Sequence, residues 1–124
     1  MPFQSFEELE VWKEARALKK SIRQLTDTFP PEEKYRLTDQ IIRSSRSVGI
    51  QIAEGHGRQT NADEKRFCII GRGSLSEKLA HLIDAYDEAY ITEETLNEYR
   101  LKVKTVERLL NGYMRWLDKN HLKT

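Results

Sequence analysis

Glu77, His81 and Asp84 recur at spacings that put them on one face of a helix, and their residue types can hold a metal ion. Bundle di-metal sites need more: a Glu-x-x-His motif on each of two helices, plus further glutamates. Here one histidine falls inside a helical stretch, four residues from Glu77, so no metal and no cofactor is expected. The connector Gly55-His56-Gly57-Arg58-Gln59 lacks the Gly-Lys-Ser/Thr ending and the preceding strand of a phosphate loop, which makes His56 a solvated turn residue. Cys68 lies among Phe67, Ile69 and Ile70, with only Lys65 and Arg72 as cations one turn away, and reads as a buried thiol. No nucleophile, base and orienting group form a set, so no catalytic residue is assigned and no enzyme is expected.

A second pattern is polar without being catalytic. Gln40, Ser44, Ser47, Gln51 and Glu54 step by three and four along one helix face, with Arg43 beside them. The next helical segment answers with Arg66, Gly73, Glu77, His81, Asp84 and Glu88. In an antiparallel hairpin with its tip near residue 60, level residues have numbers adding to about 120. Arg43 then faces Glu77, Glu54 faces Arg66, Ser47 faces Gly73 and Gly49 faces Gly71. Glycine inside a helix costs about 1 kcal/mol relative to alanine, and close backbone approach would account for Gly71 and Gly73. The stripe is read either as a device that fixes register or as a groove for a ligand or RNA; the register reading is the plainer.

Four helices must position these residues. Ser5 and Glu8 have capping-box spacing and start the first, followed by Leu9, Trp12, Leu18, Ile22 and Leu25 at helical intervals. Pro30-Pro31 ends it, and Pro31 suits the first turn of the second. Thr38, Ile41, Ser45, Val48 and Ile52 line that helix until about Glu54 or Gly55, where glycines favour a left-handed exit. Thr60 caps the third, whose apolar side is Phe67, Ile70, Leu75, Leu79, Leu82 and Tyr86. Thr92 caps the fourth, after a turn at Tyr90-Ile91. Its seam is the most regular: Leu96, Tyr99, Val103, Val106, Leu110, Tyr113 and Leu117. Short connections make neighbours antiparallel, so residues 1–124 are expected to form one all-α domain, an antiparallel up-down four-helix bundle.

Size and charge bound the rest. At 124 residues, with 33% charged and 38% hydrophobic, the chain suits amphipathic helices rather than disorder. No basic-then-apolar leader and no apolar run near the ~20 residues of a membrane span appear. With a single cysteine, the chain reads as cytoplasmic. The net charge of +1 hides an acidic stretch over 77–99 and a basic one from residue 100, so chains can attract one another, whereas a strong nucleic-acid binder is usually far more basic. Val11, Leu101, Leu109 and Trp116 lie off the seams. They are either a second apolar face for self-association or the rim of a wide core.

The segments "FEELEVWKEARAL", "QIIRSSRSVGIQIAEGHGR", "GRGSLSEKLAHL" and "LLNGYMRWL" resemble the four-helix-bundle proteins associated with intervening sequences of bacterial large-subunit ribosomal RNA genes. The resemblance covers about residues 3 to 117 and is most specific from Ser47 to Gly55 and at Gly73, Ser74, Leu75 and Glu77. It implies an antiparallel bundle assembled into a homopentamer, and distant similarity to the nucleic-acid-binding accessory proteins of diversity-generating retroelements. Lys78 departs from the pattern, where leucine is more usual, and is read as a matter of surface chemistry. The expected function is a non-catalytic homo-oligomeric scaffold associated with RNA or with a nucleic-acid-processing protein. The alternative is direct nucleic-acid binding through Arg43, Arg46 and Arg58 with the basic helix-four residues Arg100, Lys104, Arg108 and Arg115.

Overall fold

Four amphipathic segments become four helices, and the amphipathic seam of the last is the longest. The computed structural model describes residues 5–120: α1 Glu10–Thr26, α2 Leu37–His56, α3 Asn61–Asp87 and α4 Glu93–Lys119, with no strand among the described residues. Each helix packs on two neighbours, α1 and α3 both touching α2 and α4 and not each other, so the section is a square. Together they form an all-α, antiparallel four-helix bundle.

The core follows the apolar stripes. Leu96, Tyr99, Val103, Val106, Leu110, Met114 and Leu117 of α4 are buried in one core with Val11, Ala15, Leu18 and Ile22 of α1 and Ile41, Val48 and Ile52 of α2. Tyr99 ties α4 to α1, its hydroxyl 2.6 Å from Ser21 Oγ and donating to the Ser21 carbonyl at 3.1 Å. Val11, off the seam in sequence, is core. Ile70 and Tyr86, assigned to the seam of the third helix, are exposed, whereas Phe67, Cys68, Leu75 and Leu82 are buried.

Caps behave as expected at α3 and α4. Thr60 Oγ1 accepts from Asp63 N and Thr92 Oγ1 from Thr95 N, each at 3.1 Å. The other ends differ. Ser5 caps a 3-10 turn at Phe6–Glu8, not α1: its Oγ accepts from Glu7 N at 3.1 Å. Leu9 is extended, which drops its side chain into the core before α1 begins. Pro31 likewise opens a 3-10 turn, Pro31–Glu33, and α2 starts six residues later. No glycine takes a left-handed exit; Gly57 is right-handed, and the residue with positive φ among the described residues is Ala89 in the α3–α4 turn.

Candidate interaction faces

The α2–α3 hairpin has the register expected of it. Ser47 Oγ lies 2.9 Å from Ser74 Oγ, and a Cβ on Gly71 would sit 3.5 Å from Gln51 Cβ. Level, however, does not mean facing. Ser74 points at α2, while Gly73, one position earlier, is turned about 100° around the helix and has nothing within 4 Å of a Cβ. Gly49 faces Trp12 of α1, where an added Cβ would lie 3.5 Å from Nε1, rather than Gly71.

The two expected cross-helix ion pairs do not form. Arg43 pairs with Asp39 at 3.0 Å and Glu77 with His81 at 3.3 Å; Glu54 pairs with Arg58 at 3.5 Å and Arg66 with Asp63 at 2.9 Å. All are local contacts one helical turn apart, and the four side chains are more than half exposed. Long side chains on the outer flank reach their own helix more easily than the next one, and neither choice is worth much in water. The charged members of the stripe therefore look outward, while Ser44 is buried and Ser47 lies in the α2–α3 contact. Ile50, 61% exposed, stands on the outer side of α2 and also borders the α1–α2 groove, and Ile70 is exposed on α3.

Of the four off-seam apolar residues, only Leu101, at 68%, is exposed. Leu109 is half-buried against the core, and Trp116 stacks on Tyr113 with ring centroids 5.8 Å apart. Arg100, Lys104, Arg108 and Arg115 are exposed on α4, and none pairs with an acid among the described residues. Arg58 and Arg66 both stack on the Phe67 ring, at 4.5 and 4.8 Å, beside the α2–α3 turn.

The groove between α1 and α2 carries what sequence reading passed over. Three adjoining cavities run along it. The first, about 310 Å³, is bounded by Trp12, Arg16, Lys19, Ser45, Arg46 and Ile50, among others. The second, about 250 Å³, adds Lys20, Arg23 and Ile42, and the third, about 460 Å³, reaches Lys34 and Tyr35. Arg46 borders all three. Arg16, Lys19 and Lys20 recur along one flank of α1 and were legible as a basic stripe, but only the α2 partner reveals a groove.

One buried side chain was misjudged and another passed over. Lys78 is fully buried, 0% exposed, and its Nζ has no hydrogen-bond partner. Burial alone pulls its pKa from 10.5 to about 7. Lys78 is therefore a core residue, contrary to its reading as surface chemistry. Glu64 is buried at the other end of α3 and accepts from the Tyr113 hydroxyl at 2.6 Å. Burial, more than that bond, raises the Tyr113 pKa. Among the described residues no group of three or more His, Cys, Asp or Glu side chains could hold a metal ion; Glu77 and His81 meet each other, and Asp84 is not part of that contact. Cys68 is buried, as read from its neighbours.

The fold and these surfaces define a helical bundle with charged, partly apolar faces. A family model described as 23S rRNA-intervening sequence protein matches residues 7–112, and the chain belongs to that family. A solved structure from Bacteroides thetaiotaomicron, described as a protein of unknown function from the S23 ribosomal protein family, is similar in fold, with a TM-score of 0.76. The two are 24% identical over 84% of this chain and 97% of that one. No curated protein matches the chain. Among the described residues no helix is long and apolar enough to cross a membrane.

Proposed function

We propose that this protein is a non-catalytic homo-oligomer, a ring of five in the cytoplasm, that scaffolds an RNA or a protein acting on nucleic acid. The observation that carries the reading is the α2–α3 face, where Ile50 and Ile70 are exposed among arginines and glutamates that make only local pairs. Exposed apolar side chains ringed by charges held only in weak local pairs suit a protein contact. A ring whose axis runs along the helices keeps every level in place. Arg43 on α2 of one copy then meets Glu77 on α3 of the next, and Glu54 meets Arg66. The family's description supports the RNA association.

Light scattering at micromolar concentration tests it: a mass near five chains is expected, and a monomer sinks the reading. Ile70→Glu, at a position that touches little of the core, should lower the mass while leaving helicity unchanged. Trp116→Glu is a poorer probe, because Trp116 packs on Tyr113 and its loss disturbs the fold.

A second reading is direct nucleic-acid binding through Arg43, Arg46 and Arg58 with Arg100, Lys104, Arg108 and Arg115. The four α4 cations are exposed and without acidic partners among the described residues, which favours it. Salt-sensitive RNA binding that Lys104→Glu with Arg108→Glu abolishes would be its mark.

A further inference from the structure

The groove between α1 and α2 differs from the other faces in three ways. Its cations are uncommitted: Arg16, Lys19, Lys20 and Arg46 make no ion pair among the described residues, and the acids near its far end, Asp27 and Asp39, are engaged by Arg23 and Arg43. Its floor carries unspent polarity. Ser45 is 2% exposed, borders two of the cavities, and its Oγ has no hydrogen-bond partner. The half-buried Trp12 borders the same cavity as Ser45. Finally, each end presents an aromatic ring with a cation over it: Arg16 lies 5.7 Å from the Trp12 ring centre, and Lys34 lies 5.3 Å from that of Tyr35.

We propose that the α1–α2 groove binds single-stranded nucleic acid, with Arg16, Lys19, Lys20 and Arg46 on successive phosphates and unstacked bases lying against Trp12 and Tyr35. Positive charge tracking a backbone, interleaved with rings for bases, is how single strands are held without sequence reading. An acidic peptide would satisfy the cations but has no use for rings at both ends. A duplex keeps its bases stacked on one another, out of reach of Trp12. The length also suits an extended chain, since Trp12 to Thr26 along α1 spans about 21 Å. The proposal shares with the second reading above the chemical class of the ligand and Arg46; its other contacts lie in the α1–α2 groove, away from helix four, and it does not require assembly.

The test is fluorescence anisotropy with a labelled oligouridylate at several salt concentrations, on the full chain. Log affinity should fall against log salt with a slope of about −3, roughly 0.7 per phosphate contact for single strands. Arg16→Glu, Lys20→Glu and Arg46→Glu combined should weaken binding at least tenfold and flatten the slope, with melting temperature and mass unchanged. In a Trp116→Phe background, the emission of Trp12 should be quenched on binding. Loss of binding in the Lys104→Glu, Arg108→Glu variant with none in the groove variant overturns the proposal and favours helix four. Equal competition by a duplex, or no binding at low salt, also overturns it. So does a groove variant whose mass changes while its oligonucleotide affinity does not, because the groove then belongs to another copy of the chain.

Discussion

A lysine whose ammonium has no partner in an apolar core is costly, because desolvation acts on the charged form and nothing offsets it. Lys78 is in that position on α3. The sign follows from the two pKa values. Unfolded, Lys78 keeps its proton up to about pH 10.5; folded, it loses it near 7. Between these values the unfolded chain binds more protons, so stability rises with pH through that window and the penalty is fully present below it. Lys78→Leu should therefore raise stability by roughly 2–4 kcal/mol at pH 7, less whatever repacking costs. Urea melts should show the gap between variant and wild type narrowing steadily from pH 7 to 9.5. A gap that does not change with pH would mean that Lys78 reaches water. At higher pH Tyr113 and Tyr90, which hold their protons more tightly folded than unfolded, lower the stability of both proteins alike and leave the gap between them unchanged.

Glycine has opposite meanings within the α2–α3 hairpin. A Cβ on Gly55 would lie 2.9 Å from Phe67 Cβ and 3.0 Å from the Glu64 carbonyl oxygen, neither of which is a flexible side-chain tip. Gly55→Ala should separate the helices near the turn and cost about 1–3 kcal/mol. Gly73→Ala meets nothing, and should gain up to about 1 kcal/mol from helix propensity. Thermal melting of the two variants side by side checks both signs; a Gly73→Ala that melts lower would mean the residue is covered. The element scale also marks where sequence legibility stops. Periodicity and caps located four helices and the hairpin level, because the α4 seam, Thr60 and Thr92 act within their own helices. Which side of a helix meets which neighbour depends on crossing and rotation, a tertiary matter, and one position of rotation exchanges Gly73 for Ser74. The same limit explains Gly55, read as an exit from the helix when it is a site of close packing. It explains Lys78 as well, since a charged residue type argues for the surface whatever its position in the stripe.

Across the whole molecule, charge is separated rather than balanced. The net charge is +1, yet Asp84, Asp87, Glu88, Glu93, Glu94 and Glu98 crowd the α3–α4 end, while cations line the α1–α2 groove and the outside of α4. None of those six acids has an ion-pair partner among the described residues. Such a surface steers like molecules into a preferred orientation and makes their association depend on salt. For the proposed ring the decisive charges are Arg43 and Glu77, because they are level across the hairpin and yet unpaired with each other. One exposed pair contributes at most about 1 kcal/mol, but a closed ring repeats it at every contact. Arg43→Glu alone places like charges opposite one another and should shift the sedimentation profile toward smaller species. Glu77→Arg alone should do the same. Combined, the two substitutions restore opposite charges in reversed order and should recover the assembled mass, with the recovery weaker at high salt. If the double variant sediments no better than either single one, Arg43 and Glu77 do not meet between copies, and the ring must close through another face, even though the chain still assembles.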